Sequence, residues 1–245
     1  MRRASIAAVV AALPLLAGCS GADALRAEQL LNESSQAQQR LKSESFTGRL
    51  SVSAEGQQFV VKMTGGAYYH GADAGDFYVD LELPSDAGLP TQLGSVRLVR
   101  RGGALSMTLG STTAVLPVPA STARTTQGAS SLGAFDLTRY VKDVKVEENR
   151  LLAGARVAKV TGVLDTSALV RALAPLEQLS SATGEQLPDA SAFGDTRMVG
   201  YFSERTHRML AALVDMSAHA DGHTVQVHMD IGFQRFNKRV AFPAS

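Results

Sequence analysis

The chain has no tryptophan and only one cysteine among its 245 residues. A single thiol excludes an intrachain disulfide and a thiolate metal cluster. An excess of charge of either sign is also lacking, with 24 lysines and arginines against 23 aspartates and glutamates. The basic residues are scattered along the sequence rather than gathered on one expected element, so nucleic-acid binding has no electrostatic support. There is no Gly-x-Ser-x-Gly elbow, His-Glu-x-x-His pair, P-loop or complete Gly-x-Gly-x-x-Gly, which removes common signatures of hydrolases, metalloproteases and nucleotide enzymes. Beyond the N-terminus no apolar run is long enough to span a bilayer.

What is present begins with Arg2 and Arg3 ahead of the apolar run Ala4 to Leu16. A basic start followed by an apolar segment too short for a stable span reads as a signal peptide over residues 1–18. The segment ends in Leu16-Ala17-Gly18-Cys19, which resembles the lipobox of bacterial lipoproteins. Small residues there suit the signal peptidase, and the Cys19 thiol is the group that accepts diacylglycerol. The competing reading is a plain secretory peptide with an incidental cysteine. Two or more acyl chains, at about 0.8 kcal/mol per buried methylene, make anchoring durable. The expected organisation is a signal peptide over 1–18, a lipidated Cys19 with a tether over 19–25, and one domain over 26–245. The protein is then lipid-anchored to the cell membrane on its extracytoplasmic side. Removal of Arg2 and Arg3 leaves 22 basic against 23 acidic side chains.

Residues Ala24 to Ser43 carry Leu25, Leu30, Leu31 and Leu41 among Glu, Gln and Ala, the pattern of a helix with a thin apolar stripe. From Phe46 the period changes to two, with Phe46, Gly48, Leu50 and Val52 alternating with polar residues. A turn at Glu55-Gly56 leads to a return strand bearing Phe59, Val61 and Met63, which the pair Gly65-Gly66 is expected to interrupt. A third strand places Phe77, Val79, Leu81 and Leu83 on one side and ends at Pro84. Ser95 to Arg101 then turns at Gly102-Gly103 into Leu105, Met107 and Leu109, with a further short strand at Thr112 to Val118. Residues 117–131 are turn and linker residues, read as a surface loop or, more sharply, a lid over a pocket.

Asp136 to Val144 has Leu137, Tyr140, Val141 and Val144 at helical spacing behind an aspartate cap. Strands are expected at Val144 to Leu151 and Ala155 to Leu164, then a helix from Asp165 or Thr166 to Leu179 that Pro175 bends or ends. Ser180 to Asp195 is a second polar loop. Val199 to Glu204 and Met209 to Ala218 form a hairpin through Arg205 to Arg208, and Asp221-Gly222 turns into the last strand. There Val225, Val227, Met229, Ile231 and Phe233 alternate strictly with polar residues, giving one wet and one dry face. These elements make an α+β fold with roughly ten or more antiparallel strands, a sheet large enough that it must curl or close.

No catalytic set emerges, and the chain reads as a non-enzyme without cofactor or metal. His219, His223 and His228 flank one turn but lack an evident third ligand, so solvent-facing histidines are the simpler account. Glu147 and Glu148 are strand neighbours pointing to opposite faces and read as surface charges. Asp215, on the face opposite Val214 and Met216, reads as solvated. Large flexible or aromatic groups instead fill the expected inward positions, as in Phe59, Met63, Met107, Met198, Met216 and Met229. Taken singly each suits an ordinary core, and methionine also adapts to ligands of variable shape.

The order of parts resembles the LppX/LprG-type lipoproteins of actinobacteria, which share the LolA-like fold of the carriers LolA and LolB. The matching features are Leu16 to Cys19, the N-terminal helix before Phe46-Thr47-Gly48, the Asp165 to Leu179 helix, and the hairpins ending in Phe233-Gln234-Arg235-Phe236-Asn237-Lys238-Arg239-Val240. The loop at 117–131 does not align with that pattern. The resemblance implies a strongly curved antiparallel half-barrel with helices on its concave face and a cavity for the acyl chains of a lipid or glycolipid. It implies lipid transport, with a membrane transporter as an expected partner. Combined with the alternation, it nominates Phe46, Leu50, Phe59, Val61, Met63, Phe77, Val79, Leu81, Met107, Val170, Leu173, Phe202, Val214, Met216, Val227, Met229, Ile231 and Phe233 as lining. An envelope protein-interaction or sensor module using the same curved sheet is the alternative.

Overall fold

Alternating apolar residues commit most of the described residues to strands, and the computed structural model pairs them into one sheet. It describes residues 19–54, 56–69, 75–84, 94–102, 104–116, 141–166, 194, 196–220 and 223–243. A helix α1 (Cys19–Gln39) precedes β1 (Ser43–Ala54), β2 (Gln57–Tyr68), β3 (Phe77–Glu82), β4 (Ser95–Arg101), β5 (Ala104–Leu109) and β6 (Thr112–Leu116). Then follow β7 (Val141–Leu152), β8 (Ala155–Leu164), β9 (Thr196–Ser203), β10 (Met209–Ala220) and β11 (His223–Gln234). The sheet is antiparallel and open, in the order β6-β5-β4-β3-β2-β1-β11-β10-β9-β8-β7. Each half is a meander, and the pairing of β1 with β11 joins them.

Three expectations change here. The helix starts at Cys19 rather than Ala24, so the stretch expected as a tether is helical. Val141 to Val144, expected at the end of a helix, belong to β7 and pair with β8. An apolar spacing of three or four over so few residues does not hold a helix against a neighbouring strand that satisfies the same backbone groups. The rest of that expected helix, the loops at 117–131 and 180–195 apart from Gly194, and the Asp165 to Leu179 helix beyond Thr166 lie outside the described residues.

The third change is at Gly65-Gly66, which does not interrupt β2. Phe46 lies directly opposite Gly65, and a Cβ on Gly65 would stand 2.1 Å from the Phe46 ring. A Cβ on Gly66 would stand 2.5 Å from a Val240 methyl on the other side of the sheet. These glycines leave room for side chains that cross the strand, which is one recognised reason for glycine inside a sheet.

Register defines the faces. Phe46, Leu50 and Val52 sit opposite Phe233, Met229 and Val227 on one flank, and Leu50 and Val52 sit opposite Val61 and Phe59 on the other. The same apolar face continues outward through Met63 and Leu81, then Leu98 and Met107, and inward through Val214, Met198 and Val160. Helix α1 packs on one end of it: Leu30 and Leu31 join Phe46, Ala158, Val160, Phe202, Met209, Ala212, Ile231 and Phe233 in the core. Along α1, Ala27, Leu30, Leu31, Ser34 and Gln38 are buried, the three-and-four spacing of a single helix face. Arg26 donates to Glu148 of β7 at 2.7 Å where the helix meets the sheet edge.

The chain after β11 folds back over the opposite face. Lys42 N donates to Asn237 Oδ1 at 2.8 Å, Asn237 N to Ser43 O at 2.8 Å, and Val240 N to the Tyr68 hydroxyl at 2.7 Å. Phe242 stacks on Tyr68 and meets Tyr78 edge-on. The Phe236-Asn237 pair therefore acts locally, with Phe236 beneath the Arg208 guanidinium and Asn237 tying the tail to the start of β1.

Candidate functional site: an apolar face only partly covered

Every nominated lining residue that is described falls on the face that α1 contacts, as strand register and alternation from Phe46 and Leu50 outward place it. They divide by what covers them. Phe46, Phe202, Ile231 and Phe233 are buried in the core beneath α1, with Phe202 wholly inaccessible. Leu50, Phe59, Val61, Phe77, Leu81, Met107, Val214, Met216 and Val227 are half-buried and outside that core. Met63, Val79 and Met229 bridge the two groups, half-buried yet packed against the core. Val170 and Leu173 lie outside the described residues. Alternation puts these residues on one face but could not divide it, since period two carries no information about what lies on top.

The closed end of this face also holds polar groups that sequence reasoning missed. Glu44, two residues before Phe46 and on the same face, is 1% exposed and accepts a short hydrogen bond from the Tyr69 hydroxyl. Among the described residues, its other oxygen has no hydrogen-bond partner, nor do the side-chain amide atoms of buried Gln38 on α1. Desolvation holds the Glu44 carboxyl above its ordinary range, opposed in part by the Tyr69 bond and the positive Arg208. Burial raises the pKa of a carboxyl in this way because the neutral form costs less to desolvate than the charged one. The only sequence signal for it was a glutamate in phase with Phe46 and Leu50.

The opposite face is hydrophilic. Ser51, His228, Asp215 and Arg197 form one row across β1, β11, β10 and β9. His228 Nδ1 and Asp215 Oδ1 are 2.5 Å apart, and both side chains are at least half exposed. They border a shallow groove of about 430 Å³ shared with Ser53, Gln58, Ser217 and Gln226. No hydrogen bond joins Ser51 to His228 among the described residues. Asp215 is solvated as expected and also paired. His219 instead meets the Thr224 hydroxyl at 3.1 Å. Glu147 bonds Lys159 and Arg150 while Glu148 bonds Arg26, so both are engaged surface charges. No helix among the described residues is long and apolar enough to cross a membrane.

No sequence-family model and no curated protein sequence matches the chain. Among solved structures it is similar to LprF from Mycobacterium bovis, with 14% identity, a TM-score of 0.56, and coverage of 90% of this chain and 97% of that one. It is also similar to the lipoprotein LppX from Mycobacterium tuberculosis (13% identity, TM-score 0.48, 89% and 98% covered). A LolA-superfamily protein from Nitrosomonas europaea shares 8% identity at a TM-score of 0.32, with 88% and 94% covered. The chain thus shares the fold of LprF, at an identity that speaks for the fold alone.

Proposed function

We propose that this protein is a non-catalytic cell-envelope lipoprotein, anchored on the extracytoplasmic side of the membrane through Cys19, that binds the acyl chains of a lipid or glycolipid and takes part in lipid transport. The observation that carries the reading is the partly covered apolar face. Leu50, Phe59, Val61, Val214, Met216 and Val227 line up in register yet stay half-buried, beyond the end that α1 fills. A protein that used its sheet only as a core would be expected to bury such a stripe fully, because exposed apolar area forfeits about 25 cal/mol per Å².

In this reading the sheet curves as a half-barrel, helices lie on its concave side, and the expected 165–179 helix adds Val170 and Leu173 to the lining. The lining needs no catalytic group. A long-chain ligand gains about 0.8 kcal/mol per buried methylene, so an apolar surface without a fixed polar contact favours chain-length tolerance and exchange over retention. A membrane transporter is the natural donor or acceptor of such a cargo.

The test is mass spectrometry of organic extracts from the Cys19→Ala protein produced in a lipid-rich host. A stoichiometric diacyl or triacyl lipid is the expected result. Empty protein that also fails to take up a fluorescent acyl probe would overturn the carrier reading and leave the apolar face as the seat of a protein partner.

A further inference from the structure

Four chain segments that are remote in sequence meet at one end of the sheet. Leu151 pairs with Arg156 beside the β7–β8 turn, Val157 pairs with Ser203, and Glu204 N donates to Arg156 O, which puts the β9–β10 turn at the same end. The link from α1 to β1 and the segment after β11 are joined there by the bond from Asn237 N to Ser43 O. These segments carry Arg40, Lys42, Arg156, Arg205, Lys238 and Arg239, all exposed.

The described carboxylates in these segments are two, against six cations. Glu44 is buried, and Glu204 accepts from Asn149 N at 2.6 Å. Where β1 turns into β2 and β10 into β11, at the other end of the same strands, the described side chains include Gln57, Gln58, His219 and Thr224 instead. A chain with balanced charge overall therefore concentrates cations at one pole, an asymmetry that scattered sequence positions conceal.

The pole coincides with the start of the domain. Arg26 of α1 is bound to Glu148 next to this end, and Cys19 lies two helical turns earlier, about 10 Å along the axis. Leu151, 73% exposed, stands among the basic turns. We propose that this pole docks on a membrane surface bearing anionic lipid headgroups, a reading that rests on the anchored-lipoprotein assignment above. Each cation held close to such a surface strengthens association about fivefold, and salt screens the attraction within a Debye length of about 10 Å. The acyl anchor would hold the protein at the membrane while the basic turns orient it.

The absence of tryptophan makes the test direct: Leu151→Trp gives a single indole reporter. The lipidated variant is reconstituted with phosphatidylglycerol or phosphatidylcholine vesicles whose acyl chains carry bromine, and both flotation and indole quenching are measured. Quenching is expected in phosphatidylglycerol vesicles at low salt. It should fall about threefold or more in 0.5 M salt, or when Arg156, Arg205, Lys238 and Arg239 are replaced by glutamine, and persist with Arg156→Lys and Arg205→Lys. Protein that floats but shows no quenching, or equal quenching in phosphatidylcholine, overturns the docking surface and leaves the anchor standing. Protein that floats with neither vesicle overturns the anchor reading, and the docking proposal with it.

Discussion

Glu44 is a glutamate placed where its alternation partners are Phe46 and Leu50, and burial raises its pKa above the ordinary value of 4.5. Between the unfolded and folded pKa the folded protein thus binds more proton than the unfolded chain. For a carboxyl shifted upward, stability is greatest below the unfolded pKa and declines as pH rises through about 4.5 towards the folded value. Thermal melts across this range should show that decline, and Glu44→Gln should flatten it while raising stability at neutral pH. A variant whose melting temperature follows pH as the parent does would exclude Glu44 as the cause. No local pattern marks Glu44 in the sequence, because its burial and its bond from the Tyr69 hydroxyl arise only where distant parts of the chain meet in the fold.

Helix α1 was legible as a helix from its thin leucine stripe, but its span and role were not. Its apolar face is short of leucine and runs through Ala27, Ser34 and Gln38, so the helix is held by what Leu30 and Leu31 meet on the sheet rather than by intrinsic amphipathicity. Leu30→Ala should therefore cost about 2–5 kcal/mol, as large-to-small changes in packed cores do. Arg26→Ala should cost less than about 1 kcal/mol because the ion pair with Glu148 is exposed. Chemical denaturation of the two variants checks both, and equal losses would mean that the edge ion pair, not the core contact, fixes the helix. The Gly65-Gly66 pair illustrates the same limit at the strand level. Read locally it is a breaker, yet the Phe46 ring and Val240 occupy the space it leaves.

For the whole molecule, the decisive contact is β1 with β11, between segments about 180 residues apart, which fuses two meanders into one face. Its use as a ligand surface can be separated from its use as a scaffold by neighbouring valines. Val61 lies on the apolar face opposite Leu50, and Val60 lies on the polar face opposite Ser51. Val61→Asp should reduce acyl-probe uptake by about tenfold or more, since a charge in an apolar site must be desolvated, while Val60→Asp should leave uptake unchanged. Equal uptake by both would move the ligand away from this face.

By itself, the sequence determined the strand-rich class, the identity of the apolar face and the candidate anchor, because alternation and an N-terminal motif are local properties written residue by residue. Only the tertiary structure decided which part of that face is core and which remains half-exposed, why glycine stands opposite Phe46, and that basic turns distant in sequence share one pole. Each of those depends on which strand lies beside which, and on where one helix comes to rest. Long-range pairing settles these points, and no window of sequence contains them.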